Sequence, residues 1–283
     1  MKFAFSTISC PTWDVPTILS RAREYGYDGV EIRGFLDEPN LTRVNLFSET
    51  DAIRDAFAQA GVQIACLASS VAMTANKRRN KLLADEVRTY VDTAVQVGCP
   101  MVKIFDTQVW PGQSRASAGV ILGDWLVPLG DYAAERDVLI VVENQLSFRS
   151  AKEMWAILDR LSHPSIAAAW DVFNAATIGE SPYLSVPTLN SRIQYTQVKD
   201  AKLGSLGATY CKLGEGDVPV KKFLLRLRGI GYTGWITVEW EKAWLPGLAE
   251  PEEILPDALK KLKEWMKLGV EEEAEAAPAA AKK

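Results

Sequence analysis

Eight short β-rich runs alternate with longer amphipathic stretches from one end of the chain to the other, the pattern of βα units around a parallel sheet. The runs are 2–5, 29–32, 63–67, 101–105, 139–143, 166–171, 193–198 and 235–240. Several are almost continuously apolar, as strands covered on both faces require. The segments 16–25, 50–60, 77–97 and 220–228 read as helices, each followed by a glycine (Gly26, Gly61, Gly98, Gly229) that supplies a left-handed cap. Helices are also expected over 114–136, 150–161 and 252–268; the sixth unit is weakest, because Pro187 interrupts 185–190. No linker or composition shift divides residues 1–268, so the prediction is a single-domain α/β protein, a closed (β/α)₈ TIM barrel. A doubly wound open sheet fits less well, since no G-x-G-x-x-G turn follows the first run. Residues 269–283, acidic and alanine-rich, read as a disordered tail.

Composition narrows the chemistry. Lys and Arg total 32 against 36 Asp and Glu, a formal charge of −4, so nothing draws the chain toward nucleic acid or an anionic membrane. His163 is the single histidine, which excludes His-rich zinc sites; it precedes Pro164 at the amino end of a barrel strand and reads as structural. The four cysteines, Cys10, Cys66, Cys99 and Cys211, have no C-x-x-C spacing and read as free thiols in a reducing cytoplasm. No apolar run is long enough to span a bilayer, and the amino terminus lacks a signal-peptide pattern.

In a barrel of this kind function sits at the carboxyl ends of the strands. There the fifth run ends in Glu143, the sixth in Asp171, the seventh carries Gln197, and the eighth carries Glu239. One acidic residue after a strand is often only a helix cap, but three carboxylates and an amide on four consecutive strands converge in space. Crowded over an apolar barrel they would repel one another and take up protons unless a cation neutralised them. A divalent metal is the economical explanation, and an all-oxygen ligand set favours Mg²⁺ or Mn²⁺ over Zn²⁺ or Ni²⁺.

These residues, with Tyr-Asp-Gly-Val-Glu-Ile at 27–32, Val-Glu-Asn at 142–144, Val-Lys-Asp at 198–200, Leu-Gly-Glu-Gly-Asp-Val-Pro at 213–219 and Gly-Tyr-Thr-Gly-Trp-Ile-Thr-Val-Glu-Trp-Glu at 231–241, carry a resemblance over nearly the whole chain. It is to the sugar phosphate isomerase and epimerase superfamily with a xylose isomerase-like barrel. Two departures stand out. Gln197 occupies the usual third-ligand histidine position and resembles the hydroxypyruvate isomerase branch, while Asn174 replaces a substrate-contacting histidine. The superfamily's endonucleases need several histidines for a zinc cluster, so DNA repair is excluded.

The resemblance implies a metal-dependent isomerase or epimerase of small sugars or keto-hydroxy compounds. Glu143 and Glu239 would both ligate the metal and carry the proton through an enediolate, and Asp171 and Gln197 would complete the ligand set. Substrate contacts are expected from Asn174 and from Glu31, where the family often has an acidic residue. Arg149 lies where some ketose epimerases place a substrate-contacting glutamate, and facing the cavity it would make an anionic substrate plausible. Lys103 within the fourth strand either points at the site or snorkels outward, and Lys199 and Asp200 are expected to pair with neighbouring strands. Trp13 and Trp110, in loops at the carboxyl ends, are candidates for lining a sugar pocket, with Trp240 and Trp244 beside them; core packing is the alternative for each. A superfamily lyase using the same proton abstraction, and a non-catalytic sugar-binding barrel, are the competing readings. Homo-oligomerisation is left open, as is whether 242–251 forms a dimer contact or a lid.

Overall fold

The apolar runs become strands that close on themselves. In the computed structural model, which describes residues 1–34, 38, 48–205 and 207–276, the barrel comprises β1 (Lys2–Ser6), β2 (Gly29–Ile32), β3 (Gln63–Ala68), β4 (Met101–Phe105), β5 (Leu139–Glu143), β6 (Ile166–Asp171), β7 (Ile193–Val198) and β10 (Trp235–Val238). All pair in parallel, and β1 closes the ring by bonding both β2 and β10. The fold is therefore the expected single-domain (β/α)₈ barrel.

Helices α1 (Val15–Tyr25), α2 (Thr50–Ala60), α3 (Lys77–Val97), α4 (Arg115–Ala134) and α5 (Ala151–Leu161) return the chain between strands. Their starts are set by side chains that accept from free amides: Asp14 from Thr17, Asn76 from Arg79, Ser114 from Ser117 and Ser150 from Glu153. At Ser150 the hydroxyl also bonds the Glu153 carboxylate. Gly26, Gly61 and Gly98 take positive φ at the carboxyl ends of α1, α2 and α3, as the glycine spacing predicts, whereas Gly229 lies within the last turn of its helix and Gly231 takes the positive φ instead.

Four features differ from the sequence reading. After β6 the chain forms the short α6 (Val172–Ala176) and then α7 (Pro182–Leu189), a full helix with Pro187 inside it. Buried Val186 and Leu189 anchor α7, so packing outweighs the hydrogen bond the proline forgoes. After β7 a hairpin of β8 (Asp200–Gly204) and β9 (Gly207–Cys211) stands outside the barrel, ahead of α8 (Val220–Gly229). The last helix, α9 (Pro251–Ala276), passes the expected end at Leu268. After Gly269 and Val270 the residues read as the start of a tail are glutamate and alanine, both strong helix formers, and the backbone continues helical to Ala276. The rest of that tail, 277–283, lies outside the described residues.

Strand alternation sorts side chains into two layers. Outward residues such as Phe5, Val30, Ile104, Val142 and Trp170 meet the helices in one large apolar shell. Inward residues Ala4, Ala65, Val141, Ala167, Ala169, Tyr195 and Trp235 form a second, smaller core, with Met101 and Leu139 packed against it. Small residues on β1, β2, β3 and β6 leave room for the Trp235 indole, and Gly29 is part of that accommodation: a Cβ there would lie 2.6 Å from the ring. His163 sits in the turn before β6, bonded by the Ser165 amide and 3.2 Å from Asp131. Among the described residues no helix is long and apolar enough to cross a membrane.

Candidate active site

The inward face changes character along each strand. Two residues beyond inward Met101 comes Lys103; beyond Val141, Glu143; beyond Ala169, Asp171; beyond Tyr195, Gln197 and then Lys199; beyond Trp235, Thr237 and then Glu239; beyond Gly29, Glu31 and then Arg33. Period two thus stacks a layer of ionisable groups on the apolar plug, at the carboxyl end of the barrel. All are buried, Arg33 being the most exposed at 6%.

These groups join in a chain of contacts. Lys103 Nζ lies 2.7 Å from Glu143 Oε2 and 3.4 Å from Glu31 Oε2. Gln197 Nε2 donates to Glu31 at 3.3 Å and to Glu239 Oε1 at 2.9 Å. Lys199 Nζ contacts Glu239 Oε2, Asp171 Oδ2 at 2.8 Å and Glu241 Oε1 at 3.0 Å. The Tyr195 hydroxyl, bonded by Thr237, supports this layer from below. The structure therefore brings Glu31, Lys103, Glu143, Asp171, Gln197 and Glu239 together. Lys103 points inward rather than snorkelling, and Lys199 pairs with carboxylates from β6 and from the end of β10.

Electrostatics separate the two glutamates. Burial, reinforced by the charges of Glu239 and Asp171, pushes the Glu143 carboxyl up to about 7 despite Lys103. Burial acts on Glu239 in the same sense, but Lys199 and Lys103 outweigh it and hold the group down at about 2. Burial also raises Asp171 against the pull of Lys199, and both lysines are kept protonated, burial being outweighed by their carboxylate neighbours. For Glu143, a carboxyl higher in the folded than in the unfolded state contributes stability fully present below about pH 4.5 and lost as pH rises through about 7. In metal-free protein, urea midpoints should fall over that window, and Glu143→Gln should flatten the fall; an unchanged slope would show that Glu143 does not carry it.

The remaining candidates are placed as follows. Asn174, on α6, donates to Gln145 Oε1 at 2.7 Å and to Asp171 Oδ2 at 3.3 Å, at the edge of the cluster. Arg149 donates Nε to the carbonyls of Gln145 and Leu146, and Nη1 to Thr177, so its hydrogen bonds brace the loop beyond β5. Trp13 is in the outer apolar shell, edge-on to Phe5 at 6.4 Å. Trp110 lies in the loop before α4 and is 55% exposed.

Sequence reasoning did not find Arg33, Glu241 or, apart from Trp240, the aromatic wall. In that wall Phe173 on α6 stacks on Tyr210 of the hairpin at 5.5 Å, and Tyr210 meets Trp240 edge-on at 6.1 Å. Lys199 Nζ lies 5.2 Å from the Phe173 ring centre. Arg33 and Glu241 were recoverable by continuing period two past Glu31 and Glu239; Phe173 and Tyr210 were not, because the wall joins α6, the hairpin and the segment after β10. The motif at 213–219 wraps Asp200, whose carboxylate accepts from the amides of Gly214, Gly216 and Val218. Gly216 is needed there, since a Cβ would fall 2.0 Å from the carboxylate.

Residues 19–265 match the model of the xylose isomerase-like TIM barrel family. The chain belongs to this family. No curated protein sequence matches it. Among solved structures it is similar to D-allulose 3-epimerase from Methylomonas sp., at 18% identity over 93% of this chain and 96% of that one, with a TM-score of 0.75. It is also similar to a probable 3-DHS dehydratase from Bacillus anthracis, at 16% identity over 93% and 99%, TM-score 0.77. A third is the IOLI protein with a bound zinc atom, at 17% identity over 94% and 98%, TM-score 0.79. At these identities the likeness is one of fold.

Proposed function

We propose that this family member is a proton-transfer enzyme, an isomerase or epimerase of a small keto-hydroxy compound, in which Glu143 and Glu239 move the proton. The observation that carries the reading is that one buried site at the carboxyl end of the barrel holds two glutamates from different strand ends, each braced by its own lysine. In the metal-free protein burial raises the Glu143 carboxyl, while Lys199 and Lys103 hold Glu239 low, so the two carboxylates are not equivalent. Lys103 fixes Glu143 from one side, and Lys199 and Gln197 fix Glu239 from the other. A substrate carbon between them would lose its proton to one carboxylate and regain it from the other.

A divalent cation fits these residues. Glu31, Glu143, Asp171 and Glu239 face two ammonium groups, Lys103 and Lys199, an imbalance of the size a divalent ion cancels. Gln197 Oε1 is a buried oxygen without a hydrogen-bond partner, the kind of atom a hard cation satisfies. Among the described residues no three Asp, Glu, His or Cys side chains enclose a common point, because the lysines lie between the carboxylates. We assign Glu143, Asp171, Gln197 and Glu239 as the residues that would hold Mg²⁺ or Mn²⁺ once Lys199 gives way. Such an ion would supply Lewis-acid stabilisation of charge developing on a substrate oxygen. Asn174, tied to Asp171, would orient a hydroxyl at the rim.

The test is elemental analysis of the native protein together with solvent-deuterium incorporation into a panel of ketoses and keto acids. Near-stoichiometric Mn²⁺ or Mg²⁺ with deuterium at carbon next to a carbonyl is the expected result. Deuterium uptake followed by loss of water or a sugar would assign a lyase. Absence of both metal and exchange would overturn the proposal and leave a binding barrel.

A further inference from the structure

Arg33 is a buried cation whose situation the proton-transfer reading does not use. Its backbone is clamped by Thr7: the hydroxyl accepts from the Arg33 amide at 2.9 Å and donates to the carbonyls of Arg33 and Gly34. From the end of β2 the side chain crosses above the end of β3, bonds Ser70 Oγ through Nη1 at 3.1 Å, and lays its guanidinium over the Phe105 ring of β4, 5.1 Å from the centroid. It is 6% exposed. Among the described residues no carboxylate pairs with it, and Ser70 is the one side-chain acceptor it meets.

Enclosing a guanidinium that meets one neutral side-chain acceptor among the described residues is costly unless an anion completes it. The cation–π contact with Phe105 and the bond to Ser70 position the planar fork, which suits bidentate capture of a carboxylate or phosphate. The position fits a substrate reaching into the ionisable layer, since Arg33 is on the same inward face as Glu31, two residues along β2, and its charge is felt at both Lys103 and Glu239. Arg149, by contrast, spends its donors on loop carbonyls and Thr177.

We infer that Arg33 is the anion-recognition residue of this site and that the substrate carries an oxyanion, a carboxylate or a phosphate, at the end remote from the reacting carbon. The inference rests on the mouth of the barrel being the substrate site. Its test requires binding alone, so it stands or falls separately from turnover.

Calorimetric titration of the full chain as isolated with D-glycerate, glycerol phosphate and glycerol distinguishes the sources. At least one anion should bind about tenfold or more tightly than glycerol, and the better of the two identifies carboxylate or phosphate. Arg33→Gln should reduce that preference by about ten- to a hundredfold. Arg33→Lys, which keeps the charge and loses the fork, should fall between. No preference for either anion in the parent protein, or an unchanged preference in Arg33→Gln, would overturn the inference. Should Arg33→Gln fail to fold, Arg33→Lys decides: weakened anion binding supports the assignment, and undiminished binding refutes it.

Discussion

Glu239→Gln should fold with the parent's near-ultraviolet spectrum and lose solvent-deuterium incorporation by about 10²–10⁴-fold, the contribution expected of a positioned proton carrier. The amide preserves the size of the side chain and one acceptor oxygen; because Gln197 and Lys199 bond different oxygens of Glu239, one of these two contacts is kept and the other is lost. What disappears is the negative charge that both lysines hold in the ionised state. The measurement is the rate of exchange at saturating substrate, with circular dichroism as the folding control. A variant exchanging within a few-fold of the parent would remove Glu239 from the chemistry and leave it as a partner of Lys199.

The second large effect is on stability. Lys199 is buried against Asp171, Glu239 and Glu241, three carboxylates from β6 and the end of β10. Lys199→Met keeps the aliphatic stem and removes the ammonium, which should cost the metal-free protein about 3–5 kcal/mol, the range for stranding buried charge. Millimolar Mn²⁺ or Mg²⁺ should then recover much of that loss, and should stabilise the variant more than the parent, because the ammonium no longer competes for Asp171 and Glu239. Urea unfolding with and without the ion measures both numbers. Equal stability of variant and parent in chelator would show that the carboxylates need no counter-charge from this residue.

The barrel was legible because strands buried on both faces must be apolar throughout, which makes runs such as 139–143 and 166–171 stand out from the helices between them. The acidic layer was legible for a related reason: Glu143, Asp171 and Glu239 end apolar strands, where charge is conspicuous. What pairs with that layer was not. Lys103 and Glu143 are on adjacent strands but forty residues apart in the chain, and only closure of the ring shows that their side chains meet. The hairpin escaped notice because β8 and β9 show no clean alternation of buried and exposed residues; Tyr210 fastens it by stacking on Phe173, a contact local propensity cannot announce. Trp13, in a loop at the carboxyl end, had two available fates, and its indole went to the outer shell with Phe5.

The Trp235 indole in the lower barrel has a kinetic consequence. It is 4% exposed, flanked by Tyr195 and strand alanines, and Lys2 lies 5.1 Å over its ring on the amino-terminal side, so the floor of the barrel is sealed. A molecule reaching the ionisable layer must leave by the door through which it entered. Product and substrate then contend for a single passage, so product should inhibit competitively, and a mutation that narrows the mouth should slow arrival and departure together.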